Sequence, residues 1–269
     1  MVQDPALHKE QLGHKKAGFD SNRATTFAAE ERSLPGQREC LELFLDYLPK
    51  RHPELYTVTG DGDNRTISVS STGEMHRVGD YAARPLELCN RIVQEDLVLM
   101  RAIDQPTTEP FGGAKHVMTA AAVVFSFGDL QEKLSSPLTF IHAPVPNFEE
   151  DLNKLLNKTF DSLRPEHAVW RNNWLLVESG DIATPSFGTP EALAARKQLM
   201  PARSRFLKVE LQTLRRLKKS NDILFTVRTF LQPISRLEGD PAAAATLAAS
   251  LRGLRPASAF PRTAAGTVA

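Results

Sequence analysis

Four short strings hold most of the residue types in this chain that are capable of chemistry: Gln94-Glu95-Asp96-Leu97, Ile141-His142-Ala143-Pro144-Val145-Pro146, Arg171-Asn172-Asn173-Trp174 and Val209-Glu210-Leu211-Gln212-Thr213-Leu214-Arg215-Arg216-Leu217. In the second, Pro144 and Pro146 exclude a helix and hold the chain extended, so the direction of the His142 ring is fixed at little entropic cost. An imidazole held that way can bind a metal or, more plainly, donate to a backbone carbonyl and order its loop. Arg171 can grip a carboxylate through two parallel hydrogen bonds, or sit exposed on an edge strand. Trp174 serves as core or as one wall of a binding site. Glu95, Asp96 and Glu210 are candidate counter-charges for a buried cation, which needs one. The plainer role for Glu95 and Asp96 is surface charge on an amphipathic helix. Gln212 can hydrogen-bond a ligand or face solvent. The remaining histidines are framed less firmly: His8 and His14 lie near the N-terminus, His52 and His76 among polar or turn-forming residues, and His116 and His167 in no rigid setting.

The elements that must position these residues follow from hydrophobic spacing. Residues 1–33 mix Lys, Glu, Gln, Asn and Thr without a sustained period, which predicts a flexible or loosely docked leader. Cys40, Leu41, Phe44, Leu45 and Leu48 repeat at helical spacing, and a second helix is expected from Pro85 to Ile103, so that Glu95 and Asp96 fall on it. Thr66–Ser70, Thr119–Phe125 and Ala168–Val177 read as strands, Phe148–Leu163 as a helix. Phe206–Leu214 and Ile223–Leu231 flank the turn-rich Lys218-Lys219-Ser220-Asn221-Asp222, which predicts an antiparallel hairpin. Asp240-Pro241 opens a last, Ala-rich helix, and residues 257–269 are expected to fray. The sum is an α+β chain with one domain over 34–256.

Composition excludes several classes. Among 269 residues, 33 Lys+Arg nearly cancel 32 Asp+Glu, so no global field draws the chain to nucleic acid or an anionic membrane. There is no apolar signal-peptide core and no run of about 18 apolar residues, so a cytoplasmic protein is expected. Cys40 and Cys89 sit in apolar helical patterns as reduced core thiols, too few for a zinc set. No Walker A loop, GxGxxG, HExxH, GxSxG or kinase set is present.

The four strings, in their order, resemble those of the heme-dependent oxidative N-demethylase family: a QEDL-like segment, IHxPVP, RxNW and ErQtLrRLP, followed by an FTIrTY-like strand that is Phe225-Thr226-Val227-Arg228-Thr229-Phe230 here. The resemblance spans residues 36–256. It departs at Leu211, where an arginine is usual, at Lys218, where a proline is usual, and at Phe125-Ser126-Phe127-Gly128-Asp129, which replaces an FPxxW-like segment. The resemblance implies a PAS-like, mainly antiparallel sheet flanked by helices and holding heme b. It further implies oxidative N-demethylation of a small secondary amine by oxygen, with release of formaldehyde. In that setting His142 is the candidate to touch the heme, as axial ligand or beside the reacting oxygen. Arg171 is the candidate partner of a heme propionate, Trp174 a heme contact, and Gln212 a contact to substrate, oxygen or heme edge, with Glu95, Asp96 and Glu210 competing to face the amine. With no flavin or iron–sulfur motif in the chain, electrons would come from a separate reductase, for which Arg215, Arg216, Lys218 and Lys219 offer either a docking face or only a solvated hairpin end. Two other functions fit the same strings: a heme-binding sensor or carrier without turnover, and a PAS-like interaction module without heme.

Overall fold

The computed structural model describes residues 3–103, 115–125, 130–142, 153–182, 205–253 and 265–268. Its longest alternating segments form its longest strands, β8 (Phe206–Arg216) and β9 (Ile223–Pro233), paired antiparallel across the turn at Leu217–Asp222. Around this hairpin lie β5 (Asp96–Ala102), β6 (His116–Ala122) and β7 (Ala168–Val177), with β1 (Phe27–Ala29) at one edge and β10 (Ala265–Val268) at the other. The seven-stranded sheet runs β1-β6-β5-β9-β8-β7-β10, antiparallel throughout. A small second sheet is built from β2 (Tyr56–Thr59), β3 (Thr66–Val69) and β4 (Glu74–Arg77). Helices cover the large sheet, so the architecture is α+β, as the sequence indicates.

Alternation along the strands sends side chains to two separate cores. On one face, Leu97, Leu99, Ala120, Ala122 and Leu224 meet the helices Pro5–Ser21, Leu34–Arg51 and Pro85–Ile92. On the other, Val98, Met100, Ala121 and Ile223 meet Leu138, Ile141, Phe160 and Leu163 from the connection between β6 and β7. Cys40 and Cys89 are both free and buried in the first core.

Two expectations are corrected. The helix begun at Pro85 ends at Ile92, and Asp96–Ala102 is a strand, not a continuation of it. Leu97-Val98-Leu99-Met100 is buried on both faces of a central strand, and such a continuous apolar run has no period with which to tell strand from helix. The second correction concerns the leader, because Pro5–Ser21 is a docked helix. Asp4 caps it by accepting from the Ala6 N–H at 3.0 Å, and Pro5 stands at its first position. Its buried stripe of His8, Gln11, Leu12, Lys15 and Phe19 has helical spacing, but three of the five are polar, so no hydrophobic period marks it. Of the tail expected to fray, Ala265–Val268 pair with β7, while 257–264 and 269 lie outside the described residues. The expected helix from Phe148 is described as Lys154–Ser162, its first residues also lying outside. Among the described residues no helix is long and apolar enough to cross a membrane.

The polar stripe of the N-terminal helix is met residue by residue. Lys15 Nζ lies 3.5 Å from Asp96 Oδ1, both side chains fully buried. His8 Nδ1 is 2.6 Å from Ser71 Oγ and Nε2 is 2.7 Å from the Tyr56 hydroxyl. Tyr56 donates its own proton to the Ile92 carbonyl, so His8 Nε2–H donates to Tyr56 and Nδ1 accepts from Ser71. Gln11 accepts from both Gln94 and Arg228.

Burial, reinforced by the Arg228 charge, lowers the His8 pKa from 6.5 to about 4. The folded protein therefore binds fewer protons than the unfolded chain between those values, and this part of its stability is lost as pH falls through the window. Unfolding free energy from urea titrations is expected to drop by on the order of 3 kcal/mol from about pH 6.5 to about pH 4 for this ring alone. A flat profile would contradict its buried, neutral placement.

Candidate functional site

The register of β7 on β8 sets Arg171 opposite Gln212 and Asn173 opposite Glu210. On the other side of β8, Gln212 faces Val227 and Glu210 faces Thr229 of β9. All of these project from the face that carries the second core, as does Lys208, two residues before Glu210. Arg171 Nε donates to Gln212 Oε1 at 2.8 Å, and Gln212 Nε2 donates to Glu210 Oε2 at 2.9 Å. Asn173 Nδ2 reaches the same carboxylate oxygen at 3.3 Å. A guanidinium only donates and a carboxylate only accepts, so the Gln212 amide between them has one possible orientation.

Burial pulls the Arg171 guanidinium below its ordinary pKa, partly offset by the charge of Glu210. Its two terminal nitrogens make no hydrogen bond with described residues, so its fork remains available for a planar anion. Lys208 is buried and donates to the Phe125 carbonyl at 2.9 Å. Burial lowers its pKa, and the carboxylates of Glu210 and Asp96 oppose that shift.

His142 closes the helical turn Leu138–Ile141, whose Leu138 and Ile141 belong to the second core. Its Nδ1 lies 2.9 Å from the Leu138 carbonyl, to which it can only donate. The neutral ring therefore carries its lone pair on Nε2. Burial is the main cause that takes its pKa down to about 4, with the Arg171 charge adding to it, and the turn that carries the ring packs into the second core, on the sheet face from which Arg171 projects. Residues 143–146, with both prolines of the motif, lie outside the described residues.

The structure therefore brings together Arg171, Gln212 and Glu210, and sets the His142 turn on the same face of the sheet. It does not bring Trp174 or Glu95. Trp174 lies opposite Val209 and so points from the other face of β7. The Glu95 carboxylate accepts from Gln3 at 2.8 Å, on the side of the N-terminal helix, and Asp96 is committed to Lys15 and to the backbone N–H groups of Val124 and Phe125 at 2.9 and 2.8 Å. Lys208 and Asn173 join the group without having been singled out. Strand alternation with Glu210 and Gln212 signals Lys208, whereas Asn173 depends on a register set across a long connection. Of the three departures from the family strings, two fall elsewhere: Leu211 faces away, opposite Arg228, and Lys218 lies in the β8–β9 turn. The third begins at Phe125, whose carbonyl accepts from Lys208, and its residues 126–129 lie outside the described residues. His116 is buried on β6 with its ring 5.2 Å from that of Phe160, a firmer frame than its sequence suggests.

Gln212→Met keeps the volume and removes both bonds, leaving Arg171 Nε and Glu210 Oε2 each short of a partner. The expected cost is about 1–3 kcal/mol in urea unfolding, more than for Leu211→Met on the opposite face. Equal effects would mean that the line of bonds contributes nothing.

All but the first residue of the N-terminal helix, and every strand of the large sheet except β10, fall within one family match. A model of the family described as haem-dependent oxidative N-demethylase, alpha subunit-like, matches residues 6–264 and so begins inside that helix. It takes in the Arg171–Gln212–Glu210 line and His142 together, and with nearly the whole length matched the chain belongs to this family of heme-dependent oxidative N-demethylase alpha subunit-like proteins.

Proposed function

We propose that the chain binds heme b between the Arg171 face of the sheet and the His142 turn, and there removes a methyl group from a small secondary amine as formaldehyde. The observation that carries this reading is the bonded line Arg171–Gln212–Glu210 on the same sheet face as the turn that ends in a neutral His142. The inner strands run β6-β5-β9-β8-β7, second-first-fifth-fourth-third in chain order, which suits a PAS-like sheet. The residues present fit the cofactor. His142 would bind through Nε2, its Nδ1–H being held by a backbone carbonyl, the second contact that commonly orients a metal-bound histidine. The terminal nitrogens of Arg171, unbonded among the described residues, could take a propionate.

When bound, the heme supplies oxidation of the carbon next to nitrogen, consuming oxygen, two electrons and two protons and giving water and an N-hydroxymethyl amine that separates into amine and formaldehyde. The chain's own part is to hold and to exclude. Gln212 and Asn173 fix one oxygen of Glu210, whose other oxygen accepts the substrate's N–H. The apolar second core keeps bulk water from the reacting carbon. The electrons come from a separate reductase. Because Leu211 and Lys218 lie off this face, they give no reason to prefer a heme carrier without turnover.

Titration of the purified chain with hemin is expected to give a saturable Soret band near one heme per chain, followed by formaldehyde release when methylated amines and a reductant are supplied. His142→Ala should alter the band or abolish it, and an unchanged spectrum at full occupancy removes His142 as axial ligand. Arg171→Ala should weaken heme affinity by about tenfold to a hundredfold, the worth of a charge-assisted bonded pair. Undiminished affinity in a heme-transfer assay would exclude the propionate contact.

A further inference from the structure

Lys208 is a buried amine that the sheet places directly beside the proposed substrate contact. It alternates with Glu210 on β8, so the two side chains share a face about 7 Å apart along the strand. Both are nearly out of solvent, at 2% and 7% exposure. Two other carboxylates lie near Lys208. Asp96 is taken by Lys15 and by two backbone N–H groups, and Asp181 is exposed, where water screens it. Glu210 thus shares a buried strand face with an opposite charge, the first of the carboxylates that act on Lys208.

The charges around it can be counted among the described residues. Lys15 and Lys208 balance Asp96 and Glu210, all four of them buried. Arg171 adds one positive charge from β7, which a heme propionate would cancel. His142 is neutral, and Gln212, Asn173 and Thr229 carry no charge. An alkylammonium entering this group would be a buried cation without a partner, and desolvating an unpaired charge costs several kcal/mol. An uncharged amine leaves the balance as it stands. It also keeps its lone pair, the electron density on which oxidation of the neighbouring carbon draws and which protonation would withdraw. Opposite Glu210 on β9, the buried Thr229 hydroxyl has no hydrogen-bond partner among the described residues, one more polar atom beside the carboxylate for a ligand to meet.

We propose that the site takes its amine as the neutral free base, with Glu210 accepting the N–H and Lys208, rather than the substrate, serving as the counter-ion of that carboxylate. The inference rests on the Glu210 face being the amine site. An alkylammonium from solution must then give its proton to buffer as the neutral amine enters.

Calorimetric titration of dimethylamine into the heme-loaded protein, in two buffers of different ionisation enthalpy, reads that proton. About one proton is expected to be released per amine bound near pH 7, and Kd should fall about tenfold per pH unit from about pH 6.5 to about pH 8.5, below the range where alkylamines themselves titrate. No proton release together with a Kd that ignores pH would mean that the cation binds, and would overturn the proposal while leaving the amine site in place. Lys208→Met should shift the count toward zero protons, because Glu210 then lacks its counter-ion and the cation supplies one. A folded Lys208→Met protein that still releases one proton would remove Lys208 from the role. If that variant does not fold, the proton count of the unaltered protein still decides. The absence of any amine binding, at any pH, to folded and heme-loaded protein would overturn both the amine site and this inference.

Discussion

One carboxylate, that of Asp96, ties together the parts on which the site depends. It accepts the backbone N–H groups of Val124 and Phe125 where the chain leaves β6, and it pairs with Lys15 from the N-terminal helix. Lys208 holds the carbonyl of the same Phe125. Phe125 is thus gripped at both its backbone groups by opposite charges from two strands, which fixes the point at which the connection to the His142 turn begins. A buried pair of this kind adds little net stability, since desolvation consumes most of its attraction. Its worth lies in definition: either partner left alone would be an uncompensated buried charge, so alternative dockings of the N-terminal helix are strongly disfavoured.

The sheet also sorts the candidate residues by parity. Arg171 and Asn173 share a face with Glu210 and Gln212, while Trp170, Trp174 and Leu211 share the other with Arg228. A single strand thus presents a polar, bonded line to one side and an apolar stripe to the other. The substitution at Leu211 falls on the second side, which is why so local a departure from the family strings leaves the Glu210 cluster intact.

Much of the fold was legible because it obeys simple periods. The β8–β9 hairpin, β7 and the helices Leu34–Arg51 and Pro241–Gly253 follow alternation, turn residues and caps. Legibility failed where burial was polar or total. Gln11, Lys15 and His8 hide the inner stripe of the N-terminal helix, and the doubly buried β5 has no alternation to betray a strand. Of the site, Arg171, Gln212, Glu210 and His142 could be named from residue type and family strings, but their mutual placement could not. That depends on the β7–β8 register, which 28 intervening residues (178–205) leave undetermined in the sequence. Strand parity alone separates Trp174 from Arg171, and it becomes informative only once the strand is known to be regular.

The polar inner stripe of the N-terminal helix bears on how the chain is made. Gln11 receives its bond from Arg228, 217 residues later, and Lys15 waits 81 residues for Asp96. On a ribosome that helix emerges before the sheet and finds its last partner only when β9 appears. An apolar stripe held open for that interval would be free to associate with neighbouring chains. A stripe of glutamine, histidine and lysine can stay hydrated until the sheet it belongs to exists, and the same residues then make the helix specific for that sheet.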